Sequence, residues 1–363
     1  MAKPRVLHIA PQNFAGMPMD FNRMQQKAGY DSRLVTIFRN TLNFEEDIAL
    51  GINLPTGSLA SKWRNSKMEL AAGKNTGAAP RLKFIEPKNA AENVYFAFRD
   101  LKNKLKIDNT IKQYNLYDYD VYHFDGGMDF YRDLKFAKEI HKRGKKIVCC
   151  YYGSDLRTRG IFKELDNMSS LNLTVEFDHL ALYPGINYLF FPFDVHSYEI
   201  KPKNNTKLRI IHSPTNRKFK GTDKILPIIA EIEKERQIEF ILAENMDRNK
   251  LLEIKQTCDL AIDQVGGEMG GSGYGKNSIE NLSMGIPTFT EFSPEYLEFI
   301  PENPMIHSTI DTLKQNLLSL IDDEKLRKNK ILEGRRWVEK YHSFESVNQK
   351  LEELYRKHNI IPG

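Results

Sequence analysis

Two stretches in the second half of the chain gather the residue types that bind phosphate. The first, His212-Ser213-Pro214-Thr215-Asn216-Arg217-Lys218-Phe219-Lys220-Gly221-Thr222-Asp223, follows an apolar run and precedes a helical pattern. Arg217 and Lys220 beside a glycine at a strand end suit an anionic group such as a pyrophosphate, whose oxygens accept charge-assisted hydrogen bonds. The second stretch runs from Gly266 to Glu280, GGEMGGSGYGKNSIE, with six glycines among its first ten residues. A backbone without Cβ atoms can pass close to a ligand. Asn277 or Ser278 is expected to cap a helix beginning there, with its positive end toward the phosphates. Glu280 would then fall in the first turn, where a carboxylate can accept hydrogen bonds from the vicinal hydroxyls of a ribose. Taken singly, each stretch also fits a plainer role: a basic loop in solvent, or a flexible glycine loop followed by a dipole-compensating glutamate.

These residues need a scaffold that ends strands in ligand-facing loops. Apolar runs at Leu208–His212, Ile238–Ala243, Leu260–Asp263, Ile286–Thr290 and Met305–His307 alternate with helical patterns, which predicts a parallel sheet covered on both faces. The first half begins the same way. Arg5–Ala10, the loop Pro11–Gly16, a polar helical stretch and Arg33–Phe38 form the opening of a βαβ unit. A second such unit is expected from Val121 to Tyr152. The polar run Lys201–Lys207 reads as a linker, giving an N-terminal domain over 1–200 and a C-terminal domain over 201–344. The amphipathic stretch 345–363 is expected to pack back on the first domain.

The segment Ser272–Pro287, SGYGKNSIENLSMGIP, resembles the donor-site signature E-G-F-G-x-x-x-x-E-A-x-x-x-G-x-P of retaining glycosyltransferases with the GT-B fold, group 1 or family 4. Glu280, Gly285 and Pro287 fall on its second half, and Arg217 to Gly221 is similar to the family's paired Arg and Lys-Gly. The N-terminal half is less alike; there Tyr152-Gly153-Ser154-Asp155-Leu156-Arg157 is similar to the family's H-G-S-D-L-R. The resemblance implies an α/β protein of GT-B fold: two Rossmann-like, doubly wound parallel-sheet domains facing a central cleft. It implies transfer of a sugar, with retention, from a nucleoside-diphosphate sugar to a glycan or glycolipid acceptor hydroxyl, in glycan, glycolipid or cell-surface polysaccharide synthesis. Arg217, Lys220 and His123 would be catalytic. Ser272, Gly273, Gly275, Lys276, Asn277, Ser278 and Glu280 would bind the donor, and Gly16, Asp125, Asp155 and Arg157 would lie on the acceptor side. No divalent metal and no cofactor is implied, since Arg217, Lys220, loop amides and a helix dipole would stabilise the leaving diphosphate. Ser272 departs from the pattern, standing where the family has its first glutamate; Glu268 is near enough in sequence to replace it.

Other readings remain open at this point. A noncatalytic sugar-nucleotide or carbohydrate-binding protein fits the broken motif, and an epimerase or phosphorylase fits the fold, although no lysine is singled out for pyridoxal phosphate. A nicotinamide enzyme fits poorly, because Pro11-Gln12-Asn13-Phe14-Ala15-Gly16 replaces G-x-G-x-x-G after the first strand. His123 either touches the transferred sugar or acceptor or is a satisfied structural histidine. Asp118-Tyr119-Asp120 superficially offers a D-x-D metal site, but it precedes a strand.

Composition sets the outer limits. With 40% hydrophobic and 28% charged residues the chain is globular. The start, MAKPRVLHIA, lacks a signal-peptide core and no apolar run is long enough to span a bilayer, so the expectation is a cytoplasmic protein. Cys149, Cys150 and Cys258 read as buried apolar residues. The net charge is +5, and residues 62–106 carry eleven Lys/Arg against four Asp/Glu. That stretch predicts either a solvated face or peripheral contact with an anionic membrane surface or acceptor. No aromatic-basic array supports nucleic acid as a partner.

Overall fold

The computed structural model describes residues 3–39, 44–53, 82, 84–85, 90–267 and 273–363. Ser272, Glu268, the segment 71–79 and much of the basic stretch 62–106 lie outside them. The chain divides into two compact units, Met1–Pro192 with Val347–Gly363, and Phe193–Ser346.

Among the described residues the first unit is built on a seven-stranded parallel sheet in the order β3-β2-β1-β4-β5-β6-β7. Its strands are β1 (Arg5–Ala10), β2 (Asp31–Phe38), β3 (Ile48–Ile52), β4 (Val121–Asp125), β5 (Lys146–Tyr151), β6 (Leu171–Thr174) and β7 (Asn187–Tyr188). β1 and β4 are neighbours at the centre, with His8 opposite His123. Both are buried almost throughout, as strands covered on two faces must be. The covering helices are α1 (Met17–Lys27), α2 (Ala90–Gln113), α3 (Lys135–Lys142), α4 (Lys163–Met168) and α5 (His179–Leu182). Gly16 takes φ +77° at the N-cap of α1, a left-handed conformation that a glycine adopts without Cβ strain.

The second unit carries a five-stranded parallel sheet, β12-β11-β10-β8-β9, from β8 (Leu208–His212), β9 (Ile238–Leu242), β10 (Leu260–Gln264), β11 (Thr288–Thr290) and β12 (Ile306–His307). Between and after the strands come α6 (Arg217–Lys220), α7 (Thr222–Glu235), α8 (Arg248–Lys255), α9 (Lys276–Ser283), α10 (Pro294–Phe299), α11 (Ile310–Asp322), α12 (Glu324–Tyr341) and α13 (Phe344–Lys357). Successive strand residues serve opposite cores. Ile210 and Ile262 pack with Ile225, Ile229 and Ile232 of α7, whereas Ile211 and Ala261 pack with Met284 and Cys258 on the other face.

The division falls ahead of the polar run Lys201–Lys207. Phe193 already belongs to the second unit, because its N–H donates to the His342 carbonyl and its ring stacks on Tyr198. Residues of α13 from Val347 onward belong to the first unit, where Val347, Leu351 and Tyr355 are buried. The three cysteines are free and buried, and burial raises the Cys149 thiol to about 12.

Candidate functional site

In open parallel sheets a ligand site forms beyond the carboxyl ends of the strands, where the strand order reverses. In the second sheet that point lies between β8 and β10, and their two following loops carry the cations and glycines singled out above. They meet backbone to backbone. A Cβ on Gly221 would stand 1.8 Å from the Val265 carbonyl oxygen, and one on Gly267 would stand 2.2 Å from that of Phe219. Only glycines permit this approach, and Gly221 also sits at φ +70°.

From this junction a buried polar network extends along α9. Asp263, at the end of β10, is wholly buried and accepts from Lys220 Nζ (2.6 Å), Asn277 Nδ2 (3.0 Å) and Ser278 Oγ (2.5 Å). Burial alone would raise the Asp263 carboxyl; Lys220 and the other donors outweigh it and hold the pKa far below the usual carboxylate range. Lys255, also wholly buried, donates to Asn277 Oδ1 (2.5 Å) and to Glu280 Oε2 (2.9 Å), while Arg248 donates to Glu280 Oε1 (2.5 Å). Against the opposing effect of burial these two cations keep the Glu280 carboxyl below its usual value. Arg217 stands 41% exposed on the same loop as Lys220, and its guanidinium bonds Asp223 and Glu244. His212 is held between the Ile262 carbonyl and the Thr222 hydroxyl (both 2.9 Å), and burial lowers its pKa.

Several local expectations need correction. α9 begins at Lys276 with Gly275 as its N-cap, and neither Asn277 nor Ser278 caps it, because Asp263 and Lys255 engage both side chains. Glu280 is therefore the fifth residue of the helix rather than part of its first turn. Gly273 lies against the rings of Tyr296 and Phe292, which a Cβ would meet at 2.5 and 2.7 Å, whereas the space around Gly275 is open. Lys276 places its ammonium 5.8 Å from the Phe193 ring. Of the connected residues, Lys220, Asn277, Ser278 and Glu280 were readable from motif and loop position. Asp263 carried a weaker signal, an acid closing an apolar run. Lys255 and Arg248 carried none, since a lysine that ends a helix resembles any surface lysine.

The reversal point of the first sheet, between β1 and β4, holds a second buried network. His8 Nδ1 bonds Asp125 (2.9 Å) and its Nε2 bonds Gln25 (2.9 Å), and Tyr152 donates its hydroxyl to the other Asp125 oxygen (2.8 Å). Gln25 reaches the Tyr355 hydroxyl, which bonds His123 Nε2. His123 is fully buried, with its ring 4.4 Å from that of His8, and desolvation with the nearby His8 lowers its pKa well below the ordinary value. In this arrangement it is a core residue that orders Tyr355. The ligand atoms of His8, His123 and Asp125 lie within 4.8 Å of one another. Both ring nitrogens of His8 are already engaged, by Asp125 and Gln25, so a cation on His8 would have to break one of those bonds, whereas His123 Nδ1 is buried without a hydrogen-bond partner among the described residues.

Asp155 is a loop former, accepting from the backbone N–H groups of Tyr152, Gly153 and Leu156. Arg157 forks onto Asp178 and also bonds Glu176. Asp118 and Asp120 lie at the start of β4, the end of the sheet away from the ligand loops, and Asp120 accepts from the Arg5 N–H that opens β1.

No protein-family model matches the chain, and no curated protein matches its sequence. Solved structures do. The chain has the GT-B fold, with one parallel-sheet α/β unit in each half. It is similar to Anabaena HepE in complex with UDP and glucose, at 11% identity and a TM-score of 0.56 over 98% of this chain and 100% of that one. Sucrose-phosphate synthase from Thermosynechococcus elongatus gives 10% identity and 0.56 over 97% and 98%. A Listeria monocytogenes protein described as a UDP-N-acetylglucosamine 2-epimerase gives 12% and 0.52 over 98% and 97%. Likeness at such identity speaks to the fold.

Proposed function

We propose that this protein is a nucleotide-sugar-dependent glycosyltransferase whose donor diphosphate is held at the reversal point of the second sheet. The observation that carries the reading is the single network joining Lys220, Asp263, Asn277, Lys255 and Glu280 where two glycine loops touch. Asp263 fixes the Lys220 ammonium at a strand end, a preorganised cation where charge develops on a departing diphosphate. Arg217 can leave its carboxylate partners, the exposed Asp223 and the partly exposed Glu244, for phosphate oxygens. Glu280 uses one lone pair on each oxygen for its cations, so a ribose diol can still donate to the others. Retention at the anomeric carbon, and an acceptor hydroxyl on a glycan or glycolipid, are the finer parts of this proposal. They rest on the resemblance of Glu280, Gly285 and Pro287, in their spacing, to the donor-site signature of retaining glycosyltransferases. The place proposed for the acceptor is the first unit, near Gly16; Asp125, wholly buried and bonded by His8 and Tyr152, would lie behind it rather than touch it.

Lys220→Ala is expected to lower turnover roughly a hundredfold to a thousandfold, as loss of a preorganised donor does. Lys218→Ala, two residues away on the same segment, should change it little. Sugar release from a panel of nucleoside-diphosphate sugars is the assay, and equal effects of the two substitutions would sink the assignment. The same assay addresses a noncatalytic binding protein, the reading favoured by Ser272 in the place of a glutamate: a binder retains the sugar nucleotide and releases no sugar.

A further inference from the structure

We propose that the solvent face of α2 docks the protein on an anionic lipid bilayer. Val94, Phe98, Leu101 and Leu105 follow one another at intervals of four, three and four residues, so they form one stripe along the helix. They are 68%, 66%, 70% and 78% exposed. The core contact of the same helix is made by Ile107 and Ile111, about 130° around the axis at 100° per residue. The helix therefore has a second apolar face that the described residues of its own unit do not cover.

The charges say what covers it. Lys102 and Lys104 flank the stripe on opposite sides, Lys112 continues its line, and these lysines with Lys106 are exposed. From Val94 onward the two acids of the helix are engaged by their own unit: Asp100 accepts from Arg99 and from the Arg132 N–H, and Asp108 from the Tyr131 hydroxyl. Beside the stripe a cavity of about 680 Å³ is lined by Phe96, Leu101 and Phe162, with Lys104, Lys135, Lys138 and Lys163 outnumbering the acids Asp100, Asp133 and Glu164. An apolar ridge between lysines, with its acids withdrawn, complements a bilayer interface: the ridge enters the acyl boundary and the lysine stems reach up to anionic headgroups. A protein partner would need acids placed on both flanks of an apolar groove, whereas an anionic lipid surface offers the counter-charge on every side of the ridge. The surface is independent of the donor site, which lies in the other unit.

Co-sedimentation of the full chain with vesicles tests this, using phosphatidylcholine alone and phosphatidylcholine with about a third phosphatidylglycerol at about 0.1 M salt. Binding to the anionic vesicles should be at least about tenfold tighter than to the neutral ones. Leu101→Glu with Leu105→Glu should weaken it by at least about tenfold. Lys102→Glu with Lys104→Glu should abolish the preference for anionic lipid. Thermal unfolding and the response to nucleoside diphosphates should stay as in the native chain in both variants. Equal binding to the two vesicle types, binding unchanged in both variants, or a native dimer that the leucine substitutions turn into a monomer would overturn the proposal.

Discussion

Asp263 and Glu280 are carboxylates that burial alone would drive toward the neutral form, and both are held ionised by cations reaching them from other elements. Removing one partner of such a pair leaves an uncompensated buried charge, which costs about 3–5 kcal/mol. That is why Glu280 takes two cations and Asp263 takes a lysine, an amide and a hydroxyl. The same burial acts on histidines. His123, His179 and His212 have pKa values lowered chiefly by desolvation, so each is neutral in the folded state at a pH where the unfolded chain protonates it. Their contribution is fully present above the unfolded value of 6.5 and declines as pH falls below it, by up to about 1.4 kcal/mol per pH unit for each. Asp129 acts in the opposite sense: burial raises it to about 7, so its contribution is present below 3.8 and lost as pH rises through 7. Glu176, raised by burial, acts in the same sense as Asp129, and three histidines against these two carboxyls predict a lower urea midpoint at pH 5 than at pH 7. A midpoint that rises on acidification would contradict the protonation states assigned here.

At the scale of elements, the junction of the two glycine loops depends on Gly221, the left-handed residue between α6 and α7. Gly221→Ala brings a Cβ to 1.8 Å from a backbone oxygen and forces an L-residue into φ +70°. Left-handed strain of about 1–2 kcal/mol and overpacking of about 1–3 kcal/mol predict a clearly lowered unfolding midpoint together with weakened donor binding. Gly275→Ala, in open space and extended backbone, is the control that should keep its stability. Equal midpoints for the two variants would remove the proposed role of the junction. The strands of the second unit were legible because central parallel strands are short apolar runs cut off by polar loops, as Leu208–His212 and Leu260–Gln264 are. β3 and β6 were not, since Ile48–Ile52 lies within a stretch of mixed character and Leu171–Thr174 alternates with polar residues. The start of α9 was misread for a physical reason. Asn277 and Ser278 have the chemistry of caps, but a buried carboxylate on a neighbouring strand competes for them, and that carboxylate is adjacent only in the fold.

At the scale of the whole molecule, each half repeats one plan: a parallel sheet whose order reverses beside its first strand, with polar side chains gathered at the reversal. In the first unit that gathering is a closed network around His8, Asp125 and Tyr355; in the second it ends on the exposed Arg217 and the partly exposed Lys220. Among the described residues no helix is long and apolar enough to cross a membrane. Ligand binding at the second reversal point is the claim on which the function rests, and amide hydrogen exchange in the presence of saturating nucleoside-diphosphate sugar addresses it directly. The prediction is new protection concentrated in 213–223 and 273–280, where the two loops and the start of α9 would close on the diphosphate and ribose. Protection confined to other segments, or no protection with any member of a panel covering the common bases and sugars, would contradict it.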